Sequence, residues 1–82
     1  MDLIAENIRK LAASYLSIGY SITVNRCLPY IAISDRNNIT VFFVQEHNAE
    51  VFLDEVDELV NEFNVTQSEA IFYLVDQSGV IE

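Results

Sequence analysis

No lysine or arginine follows Arg36 in this 82-residue chain. Four basic residues face 13 acidic ones, for a formal net charge of −9. Binding to nucleic acid or to anionic lipid through charge needs Lys and Arg to neutralise phosphates, so direct nucleic-acid binding is not expected. The single cysteine cannot close an internal disulfide, and the chain does not read as a stapled secreted domain. Two glycines and one proline exclude collagen-like or low-complexity character. The longest uninterrupted apolar run is Ala70 to Val75. The longest charge-free stretch, Leu11 to Asn25, is broken by Ser14, Ser17, Gly19, Ser21 and Thr23 and falls short of the ~20 apolar residues of a spanning helix. Met1–Glu6 carries acid where a signal peptide needs a basic region, and the expectation is a soluble cytoplasmic protein without membrane contact. The sequons Asn38-Ile39-Thr40 and Asn64-Val65-Thr66 are read as chance matches in that setting.

What is present is globular. Apolar residues make up 51% and charged residues 21%, enough to build one core, and the length allows one domain over 1–82. Leu3, Ile4, Ile8, Leu11, Ala12, Tyr15 and Leu16 share a helical stripe, so residues 3–18 predict an amphipathic helix. Asp2 suits its N-cap, and Gly19 suits the left-handed residue beyond its end. From Tyr20 the period becomes two, predicting a strand to Asn25. Leu28-Pro29 interrupts, Tyr30–Ser34 reads as a second strand, Asp35–Asn38 as a turn and Ile39–Gln45 as a third strand. Val41-Phe42-Phe43-Val44 is apolar at every position, which predicts cover on both faces of that strand. Asn48 suits an N-cap for a helix over 49–63, with Ala49, Phe52, Leu53, Val56, Leu59, Val60 and Phe63 on its apolar face and Asn64 as its left-handed stop. Thr66-Gln67-Ser68-Glu69 has capping-box spacing, predicting a third helix from near Gln67 to Ser78-Gly79. Ala70–Val75 has strand propensity and no polar face, so a last strand is the alternative there. The expected fold is α+β, in the order α-β-β-β-α-α, with a three-stranded antiparallel sheet packed by helices. The doubly apolar third strand and the apolar third helix predict a homodimer whose interface uses Val41, Phe42, Phe43, Val44, Phe72 and Tyr73.

The charge is uneven. Residues 1–40 hold three acids and four bases, whereas residues 41–82 hold ten acids and no base. Glu50, Asp54, Glu58 and Glu62 recur every four residues, which on a helix aligns them along one face about 6 Å apart in rise. Asp57 and Glu55 broaden the stripe. Each like-charged i,i+4 pair costs ~0.2–0.5 kcal/mol, so the pattern gains nothing for the helix itself. Such a face keeps a protein soluble. It also matches a basic partner surface, because carboxylates at this interval can meet Arg and Lys side chains that otherwise meet phosphates. A calcium loop is not expected, since 54–62 has no turn glycine.

Other chemistry is thin. Cys27 and His47 are the only thiol and imidazole, too few for a zinc site, and nothing in their spacing makes them a nucleophile pair. Gly19 and Gly79 stand alone, so no phosphate loop exists. No metal, cofactor or catalysis is expected. Ile39-Thr40-Val41, then a helix ending Leu59–Asn64, then Val65-Thr66-Gln67-Ser68-Glu69-Ala70-Ile71, resembles the strand and helix pair of ribbon-helix-helix DNA-binding proteins. That resemblance covers about half the chain and rests mainly on Ser68, Glu69 and Ile71. It implies a DNA-binding regulator reading bases through Thr40, Phe42 and Val44, yet these are not basic or amide side chains, and Asn64 stands at the turn glycine. The leading expectation is a non-enzymatic protein-protein interaction module, an inhibitor or adaptor of a basic protein, with Glu50, Asp54, Asp57, Glu58 and Glu62 as its contact residues. A homodimeric structural or assembly protein is the alternative, and a ribbon-helix-helix-like regulator the third. Small size, acidity and missing catalytic groups suit a phage-encoded or accessory factor.

Overall fold

The computed structural model describes residues 3–80 and carries the expected α-β-β-β-α-α order. Helix α1 (Leu3–Ser17) buries Ala5, Ile8, Ala12 and Tyr15. Its packed stripe is narrower than the sequence pattern suggested: Leu3, Ile4 and Leu16 are exposed, and the small Ala5 takes the close contact instead. The expected cap at Asp2 lies outside the described residues. At the C-terminus, Gly19 adopts φ +97°, the Tyr20 N–H donates to the Tyr15 carbonyl and the Gly19 N–H to that of Leu16. This double closure satisfies carbonyls the helix leaves open, and it needs a residue free to enter the left-handed region.

Strands β1 (Ser21–Asn25), β2 (Tyr30–Ser34) and β3 (Thr40–Gln45) form one antiparallel sheet in that order. The first turn is held by Asn25, whose side-chain oxygen accepts from the N–H groups of Cys27 and Leu28, both at 2.9 Å. In the second, the Asp35 carboxylate accepts from Asn37 and Ile39, and Asn38 takes φ +63°. Register places Ile22 opposite Ile33, Ile33 opposite Phe42, and Ile31 between Val24 and Val44, so these six share the inner face. Val41 is the extra residue where the β2–β3 register shifts. It forms a bulge that explains how four apolar residues in a row fit one strand.

Within the single chain, β3 is covered by helix on one face only. Phe42 and Val44 turn inward, with Phe42 5.6 Å from the Phe52 ring, while Phe43 points outward and is 51% exposed. Among the described residues, Phe43 has Tyr30 as its one ring neighbour on that outer face, at 6.1 Å.

Helix α2 (Glu46–Phe63) starts three residues earlier than its sequence pattern predicted. Asn48 is therefore inside the helix, and Gln45 is the N-cap, with no side-chain cap bond. The reason is Glu46, whose φ of +55° turns β3 directly into the helix while its N–H donates to the Pro29 carbonyl at 2.9 Å. Asn64 ends α2 as expected, at φ +55° with its N–H on the Val60 carbonyl. Helix α3 (Gln67–Ser78) begins with the expected capping box: the Glu69 N–H donates to Thr66 Oγ1 at 3.2 Å, and the Thr66 N–H to Glu69 Oε1 at 2.8 Å. Residues 70–75 are helical, not a strand.

Helix α3 lies between α1 and α2 and buries Ala70, Ile71, Phe72 and Val75. That central place accounts for its lack of a polar face without a second protomer. Phe72 is fully buried and stacks on Tyr15 at 5.1 Å, 7° from parallel, so it has no surface to offer an interface. Tyr73 is half-buried against the core.

The Tyr15 hydroxyl donates to Asp76 Oδ1 at 2.7 Å, tying α1 to α3. Burial, then the bond to Asp76, push the Tyr15 pKa from 10 up to about 12. The folded state therefore holds the proton more tightly than the unfolded chain. The bond contributes in full below pH 10, and its contribution disappears as pH rises from 10 to about 12. Tyr15→Phe is expected to cost about 1 kcal/mol at neutral pH. That deficit relative to the unmodified chain should shrink across the same alkaline interval in urea melts. A deficit that stays constant with pH would contradict the assignment.

Candidate protein-docking face

Helix α2 places the acidic residues by simple geometry. Ala49, Leu53 and Val56 are buried, and Phe52, Leu59, Val60 and Phe63 pack beside them against the core. The opposite side carries Glu50, Asp54, Glu58 and Glu62, all exposed. Glu55 is exposed too, and Val51 is the apolar residue within this face, 45% exposed. Over 12 residues of helix the four carboxylates spread along about 18 Å.

The cations do not neutralise them. Two ion pairs occur among the described residues, Lys10 with Glu6 at 3.3 Å and Arg26 with Asp57 at 2.9 Å. Arg9 reaches the Asn64 carbonyl at 3.2 Å, a favourable place for a cation at the negative end of α2. Arg36 lies over Gly19, where an added Cβ would come within 2.5 Å of the Arg36 Cβ. Lys10, Arg9 and Arg26 thus have posts away from the stripe, or on its margin.

Asp57 differs from the rest of the proposed contact set. Arg26 holds it with two bonds, at 2.9 and 3.3 Å, and the same guanidinium donates to Gln67 Oε1 at 2.8 Å. The Asp57 bonds, with a smaller contribution from Asp54, raise the Arg26 pKa above its ordinary value. Arg26 therefore joins the end of β1 to α2 and to the first turn of α3. Asp57 is a structural partner, which leaves Glu50, Asp54, Glu58 and Glu62 as the open carboxylates. The chain matches no family model, no curated protein and no solved structure.

The remaining candidates separate. Of the apolar interface set, Val41, Phe42 and Val44 pack on the core, Phe72 is inside it, and Phe43 alone stands largely open. Of the three strand positions that the ribbon-helix-helix resemblance implies, Phe42 and Val44 pack on the core and Thr40 is exposed. Cys27 and His47 are both exposed, on different elements. Among the described residues no three Asp, Glu, His or Cys side chains converge as metal ligands. No described helix is long and apolar enough to cross a membrane.

Proposed function

We propose that this protein is a non-enzymatic, cytoplasmic protein-protein interaction module, an inhibitor or adaptor, whose α2 face docks on a basic protein surface. The observation that supports this reading is the unneutralised stripe of Glu50, Asp54, Glu58 and Glu62 on a helix otherwise anchored by its apolar side. A solvated face needs no such order, and mixed charge would stabilise the helix better. The helix fixes the spacing of these carboxylates before they meet Arg or Lys, and their field accelerates encounter with a basic partner.

The test is affinity capture with the full chain as bait, followed by titration of the purified partner by calorimetry. The partner should carry a basic groove, and its affinity should fall steeply with salt. Changing Glu50, Asp54, Glu58 and Glu62 together to Lys should abolish the complex, and bare DNA should not shift in a gel at low salt. A confirmed complex that survives the charge swap unchanged would refute the docking face.

A further inference from the structure

The sheet has two edges, and they differ. β3 is bulged at Val41 and runs without a loop into the acidic helix at Glu46. A second copy paired there would bring two anionic helices together. β1 carries none of the devices that block an edge: Ser-Ile-Thr-Val-Asn has no charge, no proline and no bulge. Among the described residues its backbone bonds only to β2, so the outward N–H and C=O groups form an open row. On its inner side Ile22 and Val24 are half-buried, whereas their neighbours Ile33 and Ile31 on β2 are fully buried. The packed layer stops short at this edge.

We infer that β1 is a homodimerisation edge, pairing antiparallel with β1 of a second copy to make one continuous six-stranded sheet. The occupant is a second copy for two reasons. The first is self-complementarity. Full overlap of a five-residue strand with its two-fold mate puts Thr23 opposite the partner's Thr23 and Ile22 opposite the partner's Val24. The inner face then continues as Ile-Val pairs, covering the side chains that the protomer leaves half-open. The same two-fold brings Ile18, exposed just before β1, toward the end where the partner's Leu28, exposed just after it, lies. The second reason is charge. A protein of net charge −9 repels its own copy over most of its surface. From Leu11 to Leu28 the only charged residue is Arg26, so this edge lets two copies approach with the least repulsion. The interface is one strand pair and a few apolar contacts per protomer, at the small end of the range for specific complexes.

Position 23 tests this directly. Residues opposite each other in an antiparallel pair have Cβ atoms about 4.5–5.5 Å apart. In a Cys27→Ser background, Thr23→Cys should give a disulfide-linked dimer on mild oxidation, and Thr40→Cys on β3 should not. The unmodified chain should sediment as a monomer-dimer equilibrium in the micromolar range. Thr23→Glu and Thr23→Lys should each shift it to monomer by at least tenfold in Kd, and mixing the two should restore a heterodimer. Circular dichroism keeps the variants honest as folded proteins. A chain that stays monomeric at high micromolar concentration overturns the inference. So does a dimer that neither charge at position 23 weakens, or one cross-linked through residue 40 and not through residue 23.

Discussion

Phe72→Ala is expected to remove about 3–5 kcal/mol of stability, the usual loss for truncating a fully buried aromatic side chain. Phe72 has no solvent exposure and sits on the central helix, where it stacks against Tyr15 of α1. Its removal opens a void between α1 and α3 and deprives Tyr15 of the surface that orders its hydroxyl toward Asp76. A domain of this length has roughly 4–12 kcal/mol in total, so the variant should be marginal or unfolded at 37 °C. Urea titration followed by circular dichroism measures it. The control is Phe43→Ala, half open on the outer sheet face, which should cost under about 1 kcal/mol. Equal losses at the two positions would contradict the placement of α3 between its neighbours.

That contrast shows where sequence reasoning stops. Phe43 and Phe72 both lie in apolar runs, and by pattern alone they fell into one predicted interface. Periodicity can say that a helix has no polar face, but not whether its own chain or another copy surrounds it. Local signals read well: the Thr66-Glu69 capping box and the left-handed Gly19 and Asn64 stand where their residue types predict, and Gly79 ends α3. Each is decided within four residues. The start of α2 escapes the pattern for the same reason in reverse. A glutamate with positive φ has no propensity signature, and the Glu46 turn is held by a bond to Pro29, 17 positions away. The acidic stripe was legible because spacing and helix geometry suffice to place it. The loss of Asp57 from that stripe was not, because Arg26 reaches it across 31 residues and three-dimensional proximity decides the pair. The same clamp supports the docking proposal indirectly, since Arg26, which approaches α2's acidic side, is already committed to Asp57.

Changing Glu50 and Glu58 together to Lys should make the protein more stable and its partner complex weaker. The substitutions leave Asp54 and Glu62 in place and turn three repulsive i,i+4 pairs into three attractive ones. Each pair moves from a penalty of ~0.2–0.5 kcal/mol to a gain of similar size, so α2 should gain roughly 1–3 kcal/mol at low salt. The gain should fade as salt is added, because these side chains are exposed. Retaining Asp54 matters, since its field helps hold Arg26 over Asp57. Two outcomes of one variant thus separate the two explanations of the stripe. If the acids only keep the surface hydrated, a more stable variant with a smaller net charge loses nothing but some solubility. If they are held in reserve for a basic partner, calorimetry should show at least a tenfold weaker complex, with a shallower salt dependence, from a protein that melts at higher temperature. A stabilising change that abolishes function marks residues kept for something other than the fold. An unchanged affinity in the stabilised variant would leave the stripe as a hydrated surface and nothing more.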